Sequence, residues 1–208
     1  LGNEWFTDVA VPYLTDDALK AVEAAGDARV HPGVKRPFAG FVGFNGDTTA
    51  FGTFLGGRNS QWITAVPVFG SASAPYEIAA AVTGLFAGVQ EAAPGRPVKT
   101  LVIPGILPGP DNGLTYAERD LLVKSGGSHT ENVSGSVVVG DLVTTKTTEG
   151  GDPTEDWRFT IIIPNLQFKI YALETTFRGS PFNRAVVLDD GDPPGPTYGV
   201  RPSTVKAF

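Results

Sequence analysis

Several residue types on which protein chemistry often depends are missing from this sequence. The 208 residues include no cysteine and no methionine. Without cysteine, disulfides, thiol nucleophiles and thiolate metal sites are excluded. No apolar run approaches the ~20 residues that a membrane span requires, and the first residues are not typical of a signal peptide. Because methionine is absent even at position 1, we expect an internal fragment or a processed chain, without a membrane partner.

Clustered positive charge is also missing. The chain carries 16 Lys and Arg against 22 Asp and Glu, for a net charge of −6, and its basic residues form no run or stripe. A nucleic-acid groove needs such clusters to displace counterions, so we predict no nucleic-acid partner. The 41% hydrophobic and 18% charged residues are ordinary for a globular fold.

A search for catalytic or metal-binding patterns yields little. His31 and His129 are the two histidines, and neither has a histidine or cysteine at metal-ligand spacing, which favours surface turn positions for both. The phosphate-binding, dinucleotide-binding and nucleophile-elbow glycine motifs are absent. The run Asp189-Asp190-Gly191-Asp192 lacks the spacing of an EF-hand loop, and a solvated acidic loop is the commoner interpretation. We therefore predict no catalytic site, no metal and no cofactor.

The first 110 residues alternate between strand-like and helix-like patterns, which predicts an α/β domain with a layered core, parallel strand pairs and right-handed crossovers. Helices are predicted after Thr15, ending near Gly26, after Asp47, and from Pro75 to Pro94. Strands are predicted at Trp5–Val11, Phe38–Phe44, Gln61–Phe69 and Val98–Pro104, and their aromatic residues are interpreted as core.

Residues 111–208 follow a turn-rich boundary and predict a smaller α+β subdomain. Thr115 and Glu118 have the spacing of a capping box, and the helix they begin is expected to bury Leu121 and Leu122. Val137–Val139 and Leu142–Thr148 are interpreted as short strands that form a hairpin. A long helix is predicted from Thr154 or Asp156 to about Phe177, with Pro164 kinking or splitting it.

Three stretches together resemble the tail sheath proteins of Mu-like bacteriophages. The first is TLVIPGILP at residues 100–108 with LTYAERDLLVKSG at 114–126, which includes the capping box. The second is the strand at 139–145, followed by a Gly/Asp-rich turn and a helix. The third runs from LDDG at 188–191 to VRPSTVKA at 200–207. The chain departs from the family pattern at Gly127-Ser128 and at Pro164-Asn165.

The resemblance implies a structural subunit rather than an enzyme. Sheath subunits of this family stack as hexameric rings around a tail tube and contract to drive the tube through the host envelope. Their terminal arms add strands to a neighbour's sheet. The resemblance implies other sheath subunits, the tail tube protein, and baseplate and tail terminator proteins as partners. It also implies a place in the phage tail of the virion, assembled in the bacterial host cytoplasm.

The same resemblance predicts that this chain is a core fragment lacking the final helix and the C-terminal arm, and that it is monomeric or weakly associated. Lys169, Arg178 and Arg184 are candidate contacts with the tube or a neighbouring subunit, although solvation of these surface side chains is the commoner interpretation. Two alternatives stay open. One is the sheath of a phage-derived injection machine, such as a pyocin or a secretion-type system; the other is a carboxylate-dependent hydrolase on an α/β scaffold.

Overall fold

The computed structural model describes residues 4–110, 114–179, 182–183, 185–191 and 199–206. Within these ranges the chain is a mixture of helices and strands, which confirms the predicted α/β class. No described helix combines the length and the apolar character needed to cross a membrane.

A three-stranded parallel sheet organises the first part of the chain. Its order is β1-β2-β3, and Val11 pairs with Val42 while Gly40 pairs with Ile63. The predicted strand–helix alternation with parallel pairs is confirmed here. The elements are β1 (Asp8–Val11), α1 (Asp16–Val30), β2 (Ala39–Phe44), α2 (Thr48–Gly56), β3 (Ile63–Pro67) and α3 (Pro75–Ala92).

Apolar side chains project from both faces of this sheet, as expected for buried parallel strands. Phe41 and Val66 pack with Ile78, Val82 and Phe86 of α3. The alternating positions Val42 and Ile63 pack instead with Leu19 of α1. Because successive side chains of a strand point to opposite faces, the two clusters lie on opposite sides of the sheet.

Helix α1 is longer than predicted, because Gly26 does not end the helix but makes room for a close contact with Trp62. The helix continues past Gly26 to Val30. A Cβ on Gly26 would overlap the Trp62 ring, whose Nε1 donates to Asp27 Oδ1 at 2.7 Å. Gly26 therefore allows a buried tryptophan to lie against the helix.

The predicted strand Val98–Pro104 does not form as a regular strand. Thr100 has a positive φ of 69°, and a single bridge joins Val102 to Val138. A β-branched residue at positive φ interrupts the extended backbone that a longer ladder requires.

The next elements are α4 (Tyr116–Lys124), β4 (His129–Val133) and β5 (Ser136–Asp141). The predicted capping box is confirmed, since Glu118 N donates to Thr115 Oγ1 and Thr115 N donates to Glu118 Oε2. The prediction that Leu121 is buried is wrong: its side chain is 66% exposed, because the short helix turns this face to solvent.

The predicted hairpin forms between a different pair of strands. β5 pairs antiparallel with the preceding β4, not with residues 142–148. Ser134 and Gly135, with φ values of 53° and 83°, form the turn. Residues 144–145 instead cover the edge of β3, where Thr145 N donates to Ile63 O at 2.8 Å and Thr64 bridges Thr144.

The last long helix, α5 (Ile162–Arg178), begins later than predicted, and Pro164 does not kink it. Pro164 occupies the first turn, where backbone N–H groups have no partner within the helix. The missing N–H therefore costs nothing there. Short strands β6 (Thr148–Glu149) and β7 (Asp152–Pro153) form a small hairpin ahead of this helix.

The chain divides into two compact units, residues 1–167 and 168–208. In the second unit, β8 (Val186–Val187) pairs parallel with β9 (Gly199–Val200), and α6 (Pro202–Lys206) follows. In the first unit, residues on both sides of position 110, including Phe86 and Val139, share one hydrophobic cluster. The division into 1–110 and 111–208 stays a prediction.

Candidate functional site

A buried histidine lies at the centre of a charged cluster on the β4–β5 hairpin. His129 is only 5% exposed, which corrects the expectation that it occupies a surface turn. Strand pairing buries it, because its ring lies over Gly140, where any Cβ would overlap the imidazole. Its Nε2 is 3.6 Å from Glu131 Oε1, and its Nδ1 is 3.9 Å from Asp141 Oδ2.

Both carboxylates near this ring also have basic partners. Lys99 Nζ lies 3.0 Å from Asp141 Oδ2, and Arg119 of α4 is paired with Glu131. Burial lowers the pKa of His129; the carboxylates of Asp141 and Glu131 oppose this shift, and the cations Arg119 and Lys99 add to it. We call His129, Glu131, Asp141, Lys99 and Arg119 the hairpin charge cluster.

An open groove of about 430 Å³ borders the hairpin charge cluster. Lys99 and Glu131 lie in its wall together with Val102 and Val133, which are half exposed. Thr100, the residue with positive φ, lines the same groove. The lining of the groove thus combines apolar side chains with two opposite charges and a residue at positive φ.

Hydroxyl groups near the sheet serve as structural links. Thr64 Oγ1 and Thr160 Oγ1 are 2.7 Å apart in the interior. Thr144 Oγ1 donates to Trp157 O at 2.6 Å, and Thr145 Oγ1 donates to Ser60 O at 3.0 Å. These bonds join residues distant in sequence, and none places a hydroxyl beside a histidine as a nucleophile requires.

A carboxylate-dependent hydrolase would be favoured by a cluster of buried Asp or Glu residues with perturbed pKa in one cleft. Burial is the main cause that raises the pKa of Asp8 on β1 and also that of Glu23 on α1. No charged group contributes to the Asp8 shift, and the charged neighbours of Glu23 are Asp27 and Lys20. The two are therefore not a coupled acid–base pair. Within the described ranges, no group of three or more His, Cys, Asp or Glu residues could hold a metal ion.

The predicted contact residues do not share one face. Lys169 and Arg178 both lie on α5, but nine residues of α-helix turn through about 900°, which places them on opposite sides. Arg178 is paired with Glu174 at 3.3 Å, one helical turn away. Arg184 lies outside the described residues. The role of these three residues stays a prediction.

The hairpin charge cluster was missed by the sequence analysis, although one signal for it exists. Ser134-Gly135 is a turn dipeptide between two runs of alternating residues, and its two-residue length favours a hairpin. Asn132 Oδ1 accepts from Gly135 N at 3.0 Å, which supports this turn. The register that this turn sets would pair His129 with Gly140, but a register shift between His129 and Thr130 pairs it with Asp141 instead.

The fold is that of tail sheath proteins. A crystal structure of the sheath tail protein from Desulfitobacterium hafniense is similar with a TM-score of 0.58 and 17% identity, over 83% of this chain and 39% of that one. The cryo-EM structure of the anti-feeding prophage helical sheath in its contracted state gives a TM-score of 0.52 and 16% identity, over 83% of this chain and 46% of that chain. A chain of the anti-feeding prophage baseplate structure gives a TM-score of 0.51 and 18% identity, over 81% of this chain and 44% of that one.

A curated sequence relative is the Mu-like prophage FluMu tail sheath protein of Haemophilus influenzae. It is 26% identical over 198 residues, which cover 94% of this chain and 40% of the relative. No protein-family model matches the chain. The predicted resemblance to Mu-like tail sheath proteins is therefore confirmed, and the chain spans less than half of the length of the relatives it matches.

Proposed function

We propose that this chain is part of a contractile tail sheath subunit. The observation that carries the proposal is the similarity to a prophage tail sheath protein along 94% of the chain. In this proposal the subunits stack as hexameric rings around a tail tube, and contraction drives the tube through the host envelope. The work comes from rearranged interfaces between subunits rather than from a chemical reaction, and the chain is not an enzyme.

The fold supports a rigid-body role. Apolar clusters on both sides of the parallel sheet support the predicted layered core. A close-packed interior resists deformation because it has few voids to absorb strain. Rigid units that exchange one set of interfaces for another are a common basis of large transitions. We accordingly propose that the predicted core domain, residues 1–110, moves as a rigid body during contraction.

The proposed partners are other sheath subunits, the tail tube protein, and the baseplate and tail terminator proteins. The location that follows is the phage tail, assembled in the bacterial cytoplasm. Electron microscopy of the whole gene product that contains this sequence, expressed with its tube protein, tests the proposal. Striated tubes of stacked rings are expected. A monodisperse monomer in the presence of polymerised tube protein would contradict it.

The sheath of a phage-derived injection machine is the second candidate, because the contracted sheath of the anti-feeding prophage shares this fold. Particles purified from the producing cells distinguish the two. Sheathed tails joined to DNA-filled capsids indicate a phage, whereas sheathed particles without capsids indicate an injection machine.

Contact residues are tested in the same assembly. We expect Lys169→Glu to reduce the fraction of subunits in tubes, measured by sedimentation, if this exposed cation faces the tube or a neighbour. Lys35→Glu, a charge reversal at an exposed position ahead of β2, is the matched control. Equal tube yields for both variants would show that Lys169 is not part of the contact surface.

A further inference from the structure

One buried polar atom in the hairpin charge cluster has no hydrogen-bond partner. Among the residues that the structure describes, His129 Nδ1 is the only buried side-chain nitrogen or oxygen without a hydrogen bond. Buried polar groups are nearly always hydrogen-bonded, so an exception calls for a physical explanation. The surroundings of the ring provide one.

Each ring nitrogen of His129 faces a carboxylate. Nε2 is near Glu131 at 3.6 Å, and Nδ1 is near Asp141 at 3.9 Å. A neutral imidazole carries one N–H, so one of its nitrogens presents a lone pair to a negatively charged oxygen. An imidazolium donates from both nitrogens, and a shift of less than about 1 Å would make two charge-assisted hydrogen bonds.

The same carboxylates hold the neighbouring segments to the hairpin. Glu131 of β4 is paired with Arg119 of α4, and Asp141 of β5 is paired with Lys99, which precedes the bridge at Val102. These four groups are the charges that act on His129. An imidazolium would compete with both cations for their partners, because each carboxylate would then face a second positive charge.

We propose that His129 is a proton-controlled switch that couples the β4–β5 hairpin to α4 and to the segment around Lys99. With the ring neutral, Arg119 and Lys99 keep their ion pairs, and both segments stay attached to the hairpin. With the ring protonated, Glu131 and Asp141 turn toward the imidazolium, and the two cations are released. Because Lys99 and Glu131 line the groove, the same proton changes the charge that the groove presents.

The direction of the pH dependence follows from the burial of the ring. The pKa of His129 lies below its ordinary value of about 6.5, so the folded chain binds fewer protons than the unfolded chain between the two pKa values. The contribution of neutral His129 to stability is complete above about pH 6.5. It is lost as the pH falls from there through the folded pKa.

Nuclear magnetic resonance on the 208-residue chain tests the switch without any substitution. We expect the ring nitrogens of His129 to titrate below about pH 6.5, and the Arg119 Nε–H signal and the backbone amides near Lys99 to shift with the same midpoint. A His129 ring that titrates while those signals stay constant would refute the coupling. So would a ring midpoint above the ordinary histidine value.

Two variants locate the effect. His129→Gln should abolish the pH-dependent shift of the α4 and Lys99 signals, whereas His31→Gln, which removes the other histidine at an exposed position, should leave it intact. If His129→Gln retains the shift with an unchanged midpoint, another group is responsible and the proposal is wrong. If that variant does not fold, the titration of the unmodified chain still decides.

Discussion

The three-stranded parallel sheet and the region around the β4–β5 hairpin lie in the same compact unit but are held together differently. The sheet has continuous backbone ladders and apolar side chains on both faces. The hairpin region shares the sheet's apolar cluster through Val137 and Val139, and its other links to the sheet are isolated bridges and buried hydroxyl contacts, such as that between Thr64 and Thr160. A close-packed apolar interior leaves no room for even one added methyl group, whereas a buried hydrogen bond fails when either partner is lost. The two regions should therefore respond differently to substitution.

The largest expected effect is in the sheet, at Gly43. A Cβ on this residue would meet Pro75 O, Ile78 Cβ at 2.7 Å and Ala79 N at 2.8 Å, so α3 could not lie against β2. Gly43→Ala should lower the free energy of unfolding by about 3 kcal/mol, measured by urea denaturation. Gly84→Ala is the control, because a Cβ there has open space on an exposed helical surface. The control should stabilise by about 0.5–1 kcal/mol; equal losses in both variants would mean that close packing at Gly43 is unimportant.

An intermediate effect is expected where the two regions meet. Thr64→Val leaves the Thr160 hydroxyl buried without its partner and should cost about 1–3 kcal/mol in urea denaturation. The double variant Thr64→Val with Thr160→Val removes both hydroxyls and should recover most of that loss. Strictly additive losses in the double variant would show that this contact does not join the two regions.

The smallest effect is expected at the helix that lies beside the hairpin. Thr115→Ala removes the oxygen that accepts from Glu118 N, and a lost N-cap costs about 1 kcal/mol. The hydrogen bonds from Thr115 hold the pKa of Glu118 below its ordinary value, so the variant should raise that pKa, as measured by carboxyl carbon resonances. Thr115→Ser, which keeps the oxygen, is the control. An unchanged Glu118 titration in the alanine variant would be evidence against the capping box.

Most of the parallel sheet could be predicted from the sequence, but little of the hairpin region could. The signals at Asp47, Pro75 and Thr115 act over three or four residues, and each begins a helix where predicted. The prediction of a strand at residues 98–104 failed because no local residue pattern indicates the positive φ of Thr100. The charge cluster was missed because it combines Lys99, Arg119 and Asp141, which lie far apart along the chain.

The sequence by itself determined the α/β class, the helix starts, the absence of cysteine chemistry and the resemblance to tail sheath proteins. These depend on composition, on neighbouring residues and on motifs. Only the tertiary structure decided that His129 is buried, that β4 pairs with β5, and that α5 begins at Ile162. The physical reason is that burial and strand pairing are decided by contacts between distant segments, such as Ser128 with Ala65 and Thr144 with Arg158, which no local pattern records.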